Sequence, residues 1–453
     1  MRMNRREFGI LAGAASAALA LRPLRGRAAD MDLRAASGET VYFRGWQYKT
    51  DIVQSNVDRY NREMNGKVDY ATVTGDYPAI MEQQLIAGAE LDVLYANPAT
   101  AVRYFEGGWV MPAEELPNVA DIKADMFANI LEAWSYKGKL LGLSYFVSTR
   151  GAMHVNLKKY GEAGFSDADF PKNWDELYNQ VFKLKDKGIE HPLLPHWLNE
   201  WFGISWAFVF EVLNRGGQIA DAETHKPMLS ADENGPAYKT LAAWKRLWNE
   251  KLVPEEVLTY NESAYIDAYA SGRYVFSPQQ LYDLETFNRK DRSQIAGQAS
   301  LLPYQGQSWG LLDSAVYLMT NRKSRSAAAT EDVKRFADWY GFKDQNGDIY
   351  VGNRWMQESM LFSGYKSVMN SEATRKRMEG ALARPEDVKA VLDVYAATPY
   401  PKGIWAVVWS EEFNTWLKES LMDFVTNDGD IGDFIDSANS KMEDLNRKYK
   451  IGG

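Results

Sequence analysis

Three short segments join small or turn-forming residues to an aromatic or polar side chain: Gly45-Trp46-Gln47-Tyr48, Gly75-Asp76-Tyr77 and Ala96-Asn97-Pro98. A ring face next to amide or carboxylate oxygens suits a ligand that is apolar on one side and hydrogen-bonding on the other. The pairing recurs in His196–Trp206 (HWLNEWFGISW), with three tryptophans in eleven residues, and in Phe276–Asp283 (FSPQQLYD). The plainer alternative for each of the first three is an ordinary strand-to-helix turn, with Asp76 merely capping its helix. Catalytic and metal signatures are missing by contrast. There is no HExxH, Walker loop or G-x-S-x-G. Of the four histidines only His191 and His196 are close, and Pro192 and Pro195 keep them off a common helix face. The pairs Glu114-Glu115, Glu255-Glu256 and Glu411-Glu412 are adjacent in sequence, so their side chains diverge and none forms a catalytic dyad by itself.

These segments are positioned by an alternation of elements. Thr40–Arg44 (TVYFR) reads as a strand. Val53, Val57, Tyr60 and Met64 recur at helical spacing behind Thr50-Asp51, which can cap a helix. Lys67–Thr74 is β-rich, Tyr77–Ala87 is helical and ends at Gly88, and Leu91–Tyr95 (LDVLY) is a buried-type strand. Strand and helix in turn predict an α/β fold with a mostly parallel sheet. In such sheets ligands bind beyond the carboxyl ends of the strands, where these three segments fall. The stretch 155–305 is mainly helical and rich in aromatics; Asp313–Thr320 is a further strand before a helix over 327–340.

The 453 residues are enough for more than one core. With no cysteine, disulfides, thiolate metal sites and cysteine nucleophiles are excluded. The net charge of -9 understates the acidity of the body, since residues 1–28 carry six Arg against one Glu. A surface this acidic repels phosphate backbones, so nucleic acid is excluded as a partner. Arg2, Arg5 and Arg6 precede an uncharged run of 14 residues, Phe8–Leu21, too short to span a bilayer and suited to a signal peptide over 1–28. Small residues mark a cleavage point at Gly26-Arg27-Ala28, with Ala18-Leu19-Ala20 as a second candidate. Asn4-Arg5-Arg6-Glu7-Phe8 resembles a twin-arginine export signal, departing from it at Asn4 and Gly9; an ordinary secretory signal is the alternative.

Longer stretches resemble family 1 extracellular solute-binding proteins, the group that includes maltose-binding protein. They are GDYPAIMEQQLIAGAELDVLYANP (75–98), YKGKLLGLSYFVSTRGAMHVNLKKYGEAGF (136–165), PKNWDEL (171–177), the turn Asn214–Gln218, and Pro399 and Pro401 followed by Trp405 and an amphipathic helix. The family's Pro is replaced here by Ser144, and its Tyr-Asn by Val155-Asn156. The resemblance implies a two-lobed, periplasmic-binding-protein-like fold, each lobe a mostly parallel sheet flanked by helices, with ligand in the interlobe cleft. By analogy lobe 1 takes 35–146 and 310–364, and lobe 2 takes 147–309 and 365–453.

The implied function is capture of a sugar or oligosaccharide by hinge closure, for import through a membrane-embedded ABC permease. The protein would be periplasmic, monomeric, without cofactor and not an enzyme. Aromatic rings would cover the sugar's C–H face and polar side chains its hydroxyl rim. Candidates from lobe 1 are Trp46, Gln47, Tyr48, Asp76, Tyr77 and Asn97. The crossover adds Arg150, which could grip an anionic ligand group or pin the hinge. Lobe 2 offers Trp197, Asn199, Glu200, Trp201, Gln279, Gln280 and Tyr282; Trp309 and Asp313 lie near a second crossover, and Trp355, Trp405 and Trp409 are further stacking candidates. Trp174, Trp244, Trp248, Trp339 and Trp416, set in amphipathic helices, are expected in the core. Two rival readings use the same residues: a secreted glycoside hydrolase or lyase, and a binder of a polyamine or other non-sugar solute.

Overall fold

The computed structural model describes residues 32–304 and 308–451, so the expected signal segment lies outside the described residues. The chain enters through strand β1 (Val41–Gly45), helix α1 (Thr50–Glu63), β2 (Val68–Thr72), α2 (Tyr77–Ala87), β3 (Val93–Ala96) and α3 (Pro98–Glu106). Local chemistry fixes the ends. Asp76 accepts from the Ala79 N–H, Pro78 sits in the first turn of α2, and Gly88 closes the helix at φ 64°. Asn97 accepts from the Thr100 N–H and caps α3. The expected cap at Thr50-Asp51 is not used: α1 starts at Thr50 behind Lys49, which adopts a left-handed conformation and makes no side-chain cap.

The short strands β4 (Val110–Met111), β5 (Ser135–Tyr136) and β6 (Lys139–Leu140) lead to the 14-residue β7 (Leu143–Asn156). Then come β8 (Phe276–Gln280), β9 (Ala299–Leu301) and β10 (Leu311–Thr320). One sheet runs β2-β1-β3-β10-β7-β8, with β4 also on β10 and β9 also on β7. β1 pairs in parallel with β2 and β3, while β10 runs antiparallel to β3 and to β7. Strands β2, β1, β3 and β7 therefore share one direction, with β10 reversed between β3 and β7.

β7 passes from one half of the molecule to the other, while β10 pairs within the first. The first half of β7 pairs with β10, Leu143 opposite Tyr317 and Arg150 opposite Leu311. Its second half pairs with β8 and β9, Val155 opposite Phe276 and His154 opposite Leu301. Every residue of β10 is buried, and all of β7 except Phe146, as expected for strands covered on both faces. The exchange of partners falls at a register shift around Gly151, whose φ is 91°. Here the backbones almost touch: a Cβ on Gly310 would stand 2.1 Å from the Arg150 carbonyl oxygen. Later segments brace the same point, with Val147 N–H donating to Phe362, Leu312 N–H to Pro399, and the Thr149 and Thr398 hydroxyls bonded to each other.

Each half has its own aromatic core. Phe43 meets Tyr70, Tyr95, Tyr317, Phe336 and Tyr340 in the first. In the second, buried Glu211 accepts from Tyr178 and the Trp244 indole and pairs with Arg215. Trp174, Trp244 and Trp339 are buried as expected, and Trp248 and Trp416 pack partly buried against the core.

Candidate ligand-binding cleft

The carboxyl ends of β1 and β3 present an aromatic wall. Trp46 lies 4.7 Å from Tyr95 and 5.7 Å from Tyr145, centroid to centroid. Tyr95 stacks on Tyr145 at 4.6 Å, and Trp355 meets Tyr145 edge-on at 5.4 Å and Tyr48 at 6.1 Å. Tyr48 keeps 37% of its surface exposed, but its hydroxyl end is shielded. Burial, then the carboxylates of Asp283, Glu285 and Glu262, push that phenol up to about 12. Tyr48, from the first half, therefore faces acids from the second.

Two of those acids, Glu262 and Asp283, also neighbour Arg150. Its Nε donates to Asp313 Oδ2 at 2.8 Å and its Nη2 to Glu262 Oε1 at 3.1 Å. The guanidinium lies 4.0 Å from the Phe202 ring centroid and 5.9 Å from that of Trp206. Burial opposes the charge, yet Asp313 and Glu262 outweigh it and raise the arginine's pKa. Gln280 donates its amide to the same Asp313 oxygen, while its own Oε1 is buried without a partner. Asp283 is 4% exposed and has no basic partner among the described residues. Burial raises its pKa well above the carboxylate range, Glu262 adds to this and Arg150 opposes it. His196 is pushed down to about 3 by burial and by Arg150, and stays neutral.

Trp206 also borders a narrow crevice between the halves, lined by Asn97, Trp201, Trp405, Glu411 and Asn414. Trp206 and Trp405 lie 4.3 Å apart, Trp201 is 41% exposed, and its carbonyl accepts from Asn414 at 2.6 Å. Burial raises the pKa of Glu411, opposed by its hydrogen bond with the Asn97 side chain.

The sequence candidates separate accordingly. Trp46, Tyr48, Asn97, Arg150, Trp201, Gln280, Tyr282, Asp313, Trp355 and Trp405 line or adjoin these surfaces. Others have structural work instead. Trp197 is buried against Trp244 at 5.1 Å, Trp309 against Trp174 at 5.5 Å, and Trp409 donates to Asn446 inside the second core. Tyr77 bridges Arg44 and Tyr95 of neighbouring strands, and Gln279 turns away from Gln280 to bond Ser277. Asp76 is a helix cap, as its plainer reading had it, though near enough to influence Glu411. Gln47 is exposed and bonded to Thr74, Asn199 accepts from Lys418, and the Glu200 carbonyl closes a turn on Gly203. Sequence reasoning missed Tyr145, Phe202, Trp206, Glu262, Asp283, Glu411 and Asn414. Asp283 and Trp206 ended segments already singled out, but nothing distinguished Glu262 from any other helix-start acid.

Residues 56–350 match the family described as bacterial extracellular solute-binding protein. The chain belongs to this family. No curated protein sequence matches it. Among solved structures, maltose-bound MalE3 of T. maritima superposes with a TM-score of 0.70 at 16% identity, covering 90% of this chain and 99% of that one. An ABC transporter solute-binding protein of Agrobacterium vitis with bound D-mannitol gives 0.69 at 16%, covering 91% and 100%. One from Thermotoga lettingae bound with α-D-tagatose gives 0.69 at 15%, covering 90% and 99%. At such identity the likeness establishes the fold. This solute-binding protein has the two-lobed periplasmic-binding-protein architecture that its sequence resemblance implied.

Proposed function

We propose that this protein captures a sugar or polyol between its lobes and hands it to an ABC permease. The lobes are 35–146 with 310–364 and 147–309 with 365–453. One observation carries the reading: the aromatic wall of Trp46, Tyr48, Tyr145 and Trp355 faces the polar cluster around Arg150 across the cleft. Rings cover C–H faces and the polar cluster reads hydroxyls, whose mismatch leaves buried groups unpaired. β7, continuous through both lobes and braced where Gly151 meets Gly310 at the start of β10, acts as the hinge. The sugar and polyol ligands of the structural neighbours support the same ligand class. Among the described residues no helix is long and apolar enough to cross a membrane, which accords with an exported, periplasmic chain led out by residues 1–28.

The protein binds its ligand without altering it. A glycosidase would need an acid and a base in this cleft, and Asp283 beside Glu262 makes turnover worth measuring. A thermal-shift screen of the mature protein against neutral, acidic and amino sugars tests the proposal. A true ligand raises the melting temperature with the logarithm of its concentration and is recovered unchanged. Trp46→Ala and Trp201→Ala should each weaken that response; normal binding by both variants would place the site elsewhere, and a cleaved glycoside would make the protein an enzyme.

A further inference from the structure

The polar cluster of the cleft is rich in acceptors and poor in donors. Asp313 and Glu262 bring two carboxylates and Asp283 a third acid, which burial keeps protonated until a cation arrives, and among the described residues Arg150 is the one base paired with any of them. It spends Nε and Nη2 on Asp313 and Glu262 and lays its plane against Phe202. Gln280 commits its donor to Asp313 and leaves a buried acceptor, Oε1, with nothing to accept from. The groups around this surplus do not relieve it. His196 is neutral, Glu285 is engaged by Arg377, the Tyr265 hydroxyl donates to the Pro278 carbonyl, and the phenols of Tyr48 and Tyr282 feel these acids through charge and not through a hydrogen bond. A buried acceptor without a donor costs free energy, so the arrangement calls for donors from outside.

The chemistry narrows what brings them. A carboxylate or sulfonate would meet three acids and an arginine already engaged. A metal ion needs oxygens converging on one point, and no group of three or more acid or histidine side chains does so among the described residues. A neutral polyol offers donors but no charge. An ammonium group offers three donors and no acceptor, and it is drawn to the faces of rings such as Tyr48 and Tyr282. Resting on the saccharide reading above, we infer that the ligand is a sugar or polyol bearing a protonated amine. The amine is held by Asp283, Glu262 and Gln280 Oε1 against Tyr48 and Tyr282, and the ring lies toward Trp46.

Calorimetry on matched pairs tests this: glucosamine against glucose, 1-amino-1-deoxyglucitol against glucitol, and diglucosamine against its N-acetylated counterpart. A charge-assisted hydrogen bond in a shielded site makes the amine of at least one pair about tenfold tighter or more. That ratio falls toward one in Asp283→Asn and in Glu262→Gln, the latter on a partly exposed side chain whose loss leaves the fold intact by circular dichroism. Neutral members binding as tightly as the amines overturn the inference and leave the saccharide reading standing. A preference for amines that neither variant moves overturns the assignment to these residues. Binding by no member of the panel overturns the saccharide reading and the inference together.

Discussion

Arg150 is 5% exposed and holds two carboxylates in place at the point where the lobes join. Arg150→Met removes the one base that Asp313 and Glu262 share. Leaving Asp313 buried without its partner costs about 3–5 kcal/mol, which urea unfolding near neutral pH would register, while the partly exposed Glu262 adds little. Asp283 shows the opposite sign. Its folded-state pKa is raised by burial, so above the ordinary carboxylate range the unfolded chain ionises freely and the folded form is penalised. Ligand-free Asp283→Asn should therefore melt above the wild type at about pH 7.5, and the advantage should vanish as pH falls to about 4. At this scale the sequence was only half legible. Ring type could be read, but not which way a ring points. Trp197, Trp309 and Trp409 flank turns just as Trp46 does, yet helix packing turns them into cores. Glu262 and Asp283 gain their meaning from Arg150, more than a hundred positions away, which no local pattern records.

Elements were more legible, because caps and periodicity act locally. The α2 helix runs over Tyr77–Ala87 as its spacing predicts, with Gly88 as its stop; β2 falls within its expected run, and β1 and β3 each extend one residue past theirs. The crossover was legible only through the family resemblance of 136–165, since by itself a strand that serves two lobes looks like any long apolar strand. Its constraint appears only where Gly310 meets the Arg150 carbonyl. Gly310→Ala should cost about 1–3 kcal/mol or more in chemical denaturation, because backbone rather than a flexible side chain must yield. Gly161, in the helix Leu157–Glu162, has open space where a Cβ would go. Gly161→Ala should instead gain about 0.5–1 kcal/mol in the same assay. Asn97→Ala removes the cap of α3 at a cost of about 1 kcal/mol and takes a side chain from the crevice.

On the scale of the molecule, the lobes touch beyond the hinge. The helix Ser410–Thr426 packs on α3, and the Tyr449 hydroxyl stands beside Arg103. In the proposed mechanism these contacts belong to the closed state, which a ligand favours only by touching both sides. Ile86 on α2 and Met228 in the second lobe are 62% and 47% exposed, and the chain has no cysteine, so Ile86→Cys/Met228→Cys takes spin labels at those two sites alone. The distance distribution between the labels, recorded with and without a saturating concentration of the tightest saccharide from the calorimetric panel, tests closure directly. Lobes that close on the solute give a shorter and narrower distribution when it is bound; an unchanged distribution at full occupancy would contradict the account.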